Sequence, residues 1–306
     1  VNKITEKLLT LVSDFAEAFV TAYNIREDGQ CAGRQNSEFV TIENKVGLPG
    51  IEVHVKPFAK NEVVYIPACV THSGVDDLVY NDFYIGEGAD VKVIAGCGVH
   101  SEGEEEARHN GVHRFFVGKG AKVLYEEKHV GTGEGEGARR IDPVTDIHLE
   151  EDATLQMDTV QIGGVDSTDR KTTAVMGARS KLIIHESILT EFEQTAKSDF
   201  VVTIDGADAA VDLCSRSVAK DNSLQDYHSR ILGNAPCTGH SECDAILVGS
   251  GRVNAAPELF AGHTDASLIH EAAIGKIAGE QIIKLRSLGL TEEEAQEKII
   301  HGFLQG

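Results

Sequence analysis

Tryptophan is absent, and all aromatic residues together make up 6% of the 306-residue chain. A surface of stacking rings for sugars or bases is therefore not expected. Cations are scarce too: 28 Lys and Arg stand against 49 Asp and Glu, a formal charge of −21. Such a chain repels phosphate backbones and anionic lipid, which argues against nucleic acid and membrane surfaces as partners and leaves basic proteins open. No apolar run reaches membrane-spanning length. The stretch "VNKITEKLLTLVSDFAEAFV" is amphipathic and carries acids, unlike a signal peptide, so a cytoplasmic address is the expectation. The six cysteines contain no C-x-x-C pair, so neither a zinc ribbon nor a thioredoxin motif is present, and a reducing compartment would keep them as thiols. There is no G-x-S-x-G, and "VGKGAK" at 117–122 lacks the P-loop order, so the chain should not hydrolyse ATP by itself.

What is present is glycine, 31 residues of it, set among short alternating stretches. Residues 2–23 place Ile4, Leu8, Leu11, Val12, Phe15 and Phe19 at helical spacing, and 24–37 read as a polar loop. From about residue 39 the period becomes two, as in "IEVHV", "ADVKVIAG", "AKVLYEE", "SKLIIHES" and "CDAILVG". Several of these stretches share an opening: "IGEGADVKV" at 85–93, "VGKGAKVL" at 117–124, "LEEDATL" at 149–155 and "GADAAVDL" at 206–213. A turn, a small residue and an alternating strand, repeated loosely, predict a coil that climbs rung by rung in preference to an antiparallel sandwich. "HSEGEEEARHNG" at 100–111 and "GTGEGEGARR" at 131–140 read as loops leaving the rungs. After residue 268 helices are expected, with Gly289 as a stop and Thr291 and Glu294 as a capping box. The expected division is a helix and loop (1–38), a β core (39–268) and a helical region (269–306).

Several residue groups carry candidate chemistry. In "APCTGHSECDAIL" (235–247), Cys237, His240 and Cys243 are soft-to-borderline metal donors at steps of three. On a helix they would share a side. However, Pro236, Thr238 and Gly239 ahead of "DAILV" predict a turn entering a strand, and no compact second pair completes a structural zinc set. His270-Glu271 lacks the second His of a zincin, because residue 274 is Ile, and remains a His–carboxylate pair at the β-to-helix junction. His109 and His113 flank Gly111 and read as a loop pair, while Asp76-Asp77 and Asp205/Asp208 read as turn residues. Cys97, between Gly96 and Gly98, is either sterically open to a small donor or a small buried hydrophobe at a tight turn.

Three stretches, "GHSECDAILVGSGRVNAAPEL", "LIHEAAIGKIAGEQIIKLRSLGLTEEEAQEKIIHGF" and "GEGADVKVIAGC", resemble the SufB/SufD family of iron–sulfur cluster assembly scaffolds. The resemblance covers roughly residues 50–306 and is strongest at the C-terminal end. It implies a mainly β chain: a right-handed parallel β-helix with a short N-terminal helix and a C-terminal helical domain. It also implies a homodimer formed through the β-helix and a SufC-like ABC ATPase docked on the helical region, here on Ile277, Ile282, Leu285, Leu288 and Leu290. By the same resemblance Cys243 matches the cysteine that holds a nascent, transient cluster (of 4Fe–4S type), Glu271 the SufB glutamate of that site, His270 the SufD histidine, and Cys97 a cysteine that receives sulfur. Having the SufB-like Cys and Glu together with the SufD-like His suits a homodimer that does the work of a SufB–SufD pair. A sulfur donor and apo recipient proteins would complete the system, and the chain itself would be a non-catalytic scaffold. Only one helix precedes the β region, as in minimal two-component systems. Cys237 and His240 are additional to the family pattern, and Cys31, Cys69 and Cys214 carry no assignment. Two rivals remain: a structural adaptor for the ATPase whose cysteines bind nothing, and a β-helix polysaccharide-processing enzyme, which the missing tryptophan disfavours.

Overall fold

The structure, a computed structural model, describes residues 1–13 and 21–305. Helix α1 (Lys3–Ser13) precedes β1 (Ala22–Glu27) and β2 (Gln30–Gln35), and then the short strands β3 (Val40–Asn44), β4 (Gly50–Val55), β5 (Glu62–Tyr65) and β6 (Ala68–Val70). The strands that follow are β7 (Asp76–Ile85), β8 (Asp90–His100), β9 (Ala107–Val117), β10 (Lys122–Thr132), β11 (Arg139–Ile141), β12 (Val144–Leu149), β13 (Thr154–Gln161) and β14 (Ser167–Met176). After them come β15 (Lys181–Thr190), β16 (Thr195–Ile204), β17 (Ala209–Ala219), β18 (Leu224–Gly233), β19 (Cys237–Leu247), β20 (Arg252–Ala261) and β21 (Ala266–Lys276), and then α2 (Gly279–Ser287) and α3 (Glu292–Gln305).

The strands divide between two sheets. The first runs β2-β1-β5-β8-β10-β13-β15-β17-β19-β21, and the second β20-β18-β16-β14-β11-β9-β7-β4-β3. Two hairpins, β1–β2 and β3–β4, are antiparallel. The long strands pair in parallel with their equivalents one turn away, as β10 does with β8 and β13. The result is a β-solenoid of about eight turns, with 58% of residues in strands. A parallel ladder cannot belong to an antiparallel sandwich, so that alternative is excluded.

The loose sequence repeat is the corner of each rung. Gly88, Gly120, Asp152, Arg179 and Asp208 all take φ between 55° and 63°. That left-handed step suits Gly and is tolerated by Asp. A small buried residue follows each one: Ala89, Ala121, Ala153, Ser180 and Ala209. Inside, alternation stacks like on like; Phe83 and Phe115, one turn apart, lie 4.5 Å between centroids.

Several boundaries differ from the sequence reading. Helix α1 is described over Lys3–Ser13, Phe15 and Phe19 lie outside the described residues, and by Ala22, still inside the expected helix, the chain is already in β1. Residues 24–37 are not a loop but most of the β1–β2 hairpin. The segment 100–111 is only partly a loop, because β9 begins at Ala107 and places both His109 and His113 in a strand. At the C-terminal end, β21 runs to Lys276, so the strand continues past 268 and helix begins only at Gly279. The capping box is present: the Thr291 amide donates to Glu294 Oε2 at 2.8 Å, and the Glu294 amide to Thr291 Oγ1 at 3.1 Å.

Helix α1 docks on the outer face of the first sheet over β8, and glycine makes room for it. A Cβ on Gly96 would lie 2.5 Å from the Val12 Cβ, and one on Gly98 2.9 Å from the Leu8 Cδ2. The two glycines around Cys97 therefore admit the helix, while Cys97 itself points the other way, into the coil, and is buried.

Candidate functional site

Strand geometry answers the question raised by "APCTGHSECDAIL". On β19 the burial alternates, so Cys237, Ser241 and Cys243 point inward and His240 points outward. The three donors at steps of three are split between two faces. Cys243 is 1% exposed, and burial, followed by the charge of Glu186, pushes its thiol up to about 12. His240 Nδ1 donates to Asp212 Oδ1 (2.9 Å), and its Nε2 lies 3.5 Å from Glu271 Oε2. The Asp212 hydrogen bond raises its pKa.

The parallel register places Ala95, Glu127, Thr159, Glu186, Ser215, Cys243 and Ala272 in one inward row across the first sheet. Cys97, His129 and Gln161 form the row beside it. Five strand steps from β8 to β19, about 4.8 Å each, separate the Cys97 rung from the Cys243 rung by roughly 24 Å. The interval is lined by polar groups that are bonded to one another. Tyr125 donates to Glu127 Oε1 at 2.9 Å. Arg170, reaching in from β14, donates to Glu127 Oε2 at 2.7 Å and lies 3.5 Å from Glu186 Oε1. Ser198 and Ser215 donate to the two Glu186 oxygens at 2.6 and 2.9 Å. His113 Nδ1 lies 2.8 Å from the Tyr125 hydroxyl; since that hydroxyl donates to Glu127, His113 is the donor here.

The charges in this interior are set by burial and by Arg170. Burial is the largest influence on the Glu127 carboxyl and would raise it, but Arg170, His129 and His113 together outweigh burial and hold it well below the usual range. Glu186 goes the other way: burial dominates over Arg170 and the two serines, and its pKa is raised. Burial lowers His113 to about 4, so it is neutral, and lowers His129 as well. The Cys97 thiol is pushed well up by burial and then by Glu127.

The remaining sequence candidates sit around this row. His270 faces inward on β21 beside Ser241, and its Nδ1 is buried without a partner. Glu271 points outward, its side chain 68% exposed. One chain thus brings Cys243 and His270 to the same interior but places Glu271 on the other face of the sheet. Among the docking candidates, Ile277, Ile282, Leu285 and Leu290 are half-buried and Leu288 is 72% exposed; helix α2 buries no residue at all. Helix α3 lies against the first sheet, where Ser187 Oγ donates to the Leu304 carbonyl at 3.0 Å. Between helix and sheet is a cavity of about 1090 Å³ that takes in Cys214, His185 and His301.

Sequence reasoning missed Glu127, His129, Arg170 and Glu186. A signal was available: in "KVLYEEKH" the inward parity of Val123 and Tyr125 continues through Glu127 and His129.

The SufBD core domain of the SUF system for FeS cluster assembly matches residues 80–303. An iron–sulfur cluster assembly SufBD family protein of Methanothermobacter thermautotrophicus (strain Delta H) is 30% identical over 262 residues, covering 84% of this chain and 62% of that protein. A SufBD family protein of Archaeoglobus fulgidus is 29% identical over 275 residues, 89% of this chain and 72% of its own length. The chain thus spans about three fifths of the Methanothermobacter relative. The match takes in the interior row and the last rung, and the chain belongs to the SufBD family of iron–sulfur cluster assembly proteins.

Proposed function

We propose that the chain is a scaffold on which iron–sulfur clusters are built and passed on, with Cys243 as the thiolate ligand of the growing cluster. The observation that carries this reading is the inward polar row that starts beside Cys97 and ends at Cys243, one strand short of the open end of the coil. Thiolate is the standard ligand for such clusters, and incomplete thiolate ligation suits a cargo that must leave. Sulfur accepted at Cys97 would enter the row at one end, and cluster would form at the other.

The end of the coil favours a homodimer. β20 and β21 are each the last strand of their sheet, with an outer edge that has no strand partner among the described residues. Unpaired parallel edges are templates for another chain. A second copy there would place Glu271 and His270 of two chains near one another, supplying the oxygen and nitrogen ligands that one chain divides between faces. A SufC-like ABC ATPase suits α2 and the turn after it, where Ile283 and Leu288 are 66% and 72% exposed. ATP turnover would belong to that partner, and its closure would move the last rung and uncover Cys243.

The test is anaerobic co-purification with the ATPase, assaying iron and acid-labile sulfide in wild type and Cys243→Ser. The expected result is matched iron and sulfide in the wild type and their loss in the variant. A wild type that stays bare after reconstitution would favour the adaptor reading. A variant that keeps its cluster would remove Cys243 as ligand.

A further inference from the structure

We propose that Cys97, Glu127 and His129 form a mononuclear site for one divalent transition-metal ion of the iron(II)/zinc(II) class, inside the coil and separate from Cys243. The three side chains offer Sγ, a carboxylate oxygen and a ring nitrogen that all lie within 4.8 Å of one another, and all three residues are buried. A thiolate, a carboxylate and an imidazole together suit zinc and ferrous iron. In a tetrahedral site with bonds of about 2.0–2.3 Å, donor atoms sit roughly 3.3–3.8 Å apart. His129 Nε2 and Glu127 Oε1 already stand 3.4 Å apart.

An independent observation points to a ligand. His129 Nε2 is fully buried and makes no hydrogen bond of normal geometry, its one polar neighbour being Glu127 Oε1 at 3.4 Å. Buried ring nitrogens normally find a partner, and this one faces Glu127 at a separation too long for good hydrogen-bond geometry. The surroundings fit a metal as well. Arg170 holds the Glu127 oxygen turned away from His129, Oε2, at 2.7 Å, and Tyr125 donates to Oε1 at 2.9 Å, as outer-shell groups do for a ligand carboxylate. A void of about 20 Å³, the size of one water, adjoins Cys97 and is bordered by His109, His113 and Asn81.

Charge also balances. A divalent ion, the Cys97 thiolate, the Glu127 and Glu186 carboxylates and the Arg170 guanidinium sum to zero. On loading, the metal–sulfur bond replaces the Cys97 S–H bond and the thiol proton leaves to solvent. The remaining His129 proton moves to Nδ1, so the 3.5 Å contact between Arg170 and that atom gives way and Arg170 turns toward Glu186. A Cys97 thiolate that holds the ion is not free to accept sulfur, so the two uses of this thiol alternate.

The test is anaerobic titration of the full chain with cobalt(II), offered both to the folded protein and during refolding from urea. Expected are one equivalent bound with a thiolate-to-cobalt charge-transfer band, loss of that band in Cys97→Ser, and its retention in Cys243→Ser. X-ray absorption at the cobalt edge of the wild type should report one sulfur and an imidazole, which decides the matter even if a variant fails to fold. Absence of a thiolate band under both loading conditions, or a band that survives Cys97→Ser, overturns the site. Because Cys243→Ser separates the two thiols, failure here leaves the cluster reading intact, and failure of that reading leaves this one.

Discussion

Replacing Arg170 with methionine removes the guanidinium that stands between Glu127 and Glu186. Met fills much of the vacated volume, so the effect is electrostatic rather than that of a cavity. Glu127 loses a 2.7 Å charge-assisted bond and keeps only the Tyr125 hydroxyl. The two side chains are 5% and 1% exposed, so water cannot take the place of the lost partner. Leaving one member of such a pair buried alone costs about 3–5 kcal/mol, a large share of a typical folding stability of about 5–15 kcal/mol. Urea unfolding of the reduced chain, followed by circular dichroism, reads the difference. The double variant Arg170→Met/Glu127→Gln should recover most of it, because a neutral pair no longer strands a charge. The pH dependence carries the sign. In the wild type the folded pKa of Glu127 lies below the unfolded value of about 4.3, so its contribution is complete and flat between about pH 8 and pH 6. In the variant burial, already the largest influence, is opposed only by the neighbouring histidines and the Tyr125 hydroxyl and raises that pKa, so the folded chain gains a proton, and stability, as pH falls toward 6. The gap between the two chains should therefore narrow on acidification. A loss below about 1 kcal/mol at pH 8, or a gap that does not narrow, would refute the electrostatic account.

Glu186→Gln should behave in the opposite sense. With its folded pKa raised, the acid contributes most below the unfolded carboxyl value and loses that contribution as pH rises, so the amide should be neutral or stabilising by up to about 1 kcal/mol near pH 8; a loss above about 2 kcal/mol in the same urea assay would contradict this. Gly96→Val would place its Cβ 2.5 Å from the Val12 Cβ. It should cost about 1–3 kcal/mol and free α1 for rapid proteolysis near residue 13, whereas unchanged protection would mean the helix docks elsewhere. Cys31 is exposed and Cys243 is buried with its thiol at about 12. Alkylation followed by peptide mass mapping should find Cys31 modified at least about a hundredfold faster near pH 8, and comparable rates would mean that the last rung opens unaided.

The architecture was legible because a solenoid repeats its local rules. Gly88, Gly120 and Asp152 recur at one corner for one steric reason, and the small residue after each is forced by the packing inside the bend. The hairpin at 22–35 was missed because "NIREDGQCAGRQ" has the composition of a loop; its pairing comes from β5 and β6 alongside it, which no local pattern announces. Strand β21 was read as a junction because "LIHEAAIGK" has no buried second face: it lies at the open end, so its burial signal is weak. For the site, individual residues were legible and their grouping was not. Cys243 and Cys97 stand out in one dimension, but Glu127, Glu186 and Ser215 join them only through register, a relation between strands about thirty residues apart. His270 and Glu271 are adjacent in sequence and point to opposite faces for the same reason that Cys243 and His240 do.

The register that hides the row from sequence reading also explains why the interior tolerates it. In a solenoid each inward position stacks on its equivalent one turn away, so a polar residue in one rung can serve the next. The neighbouring inward row is apolar from Val93 through Met157 and Ile184 to Leu213 apart from the phenol of Tyr125, and turns polar at Ser241 and His270 in the last two rungs. An isolated Glu127 between such walls would not stay ionised. Strung together, the groups satisfy one another: Tyr125 and Arg170 serve Glu127, and Ser198 and Ser215 serve Glu186. The thiols near the two ends share none of that support. Burial raises the pKa of both Cys97 and Cys243, so each stays protonated and inert while the coil is closed. On the scaffold reading, chemistry at Cys243 must then begin with mechanical opening, and the cover to be moved is small. The residue stacked over Cys243 on the last strand is Ala272, itself exposed, so shifting β21 alone uncovers the thiol without unpacking the row beneath it.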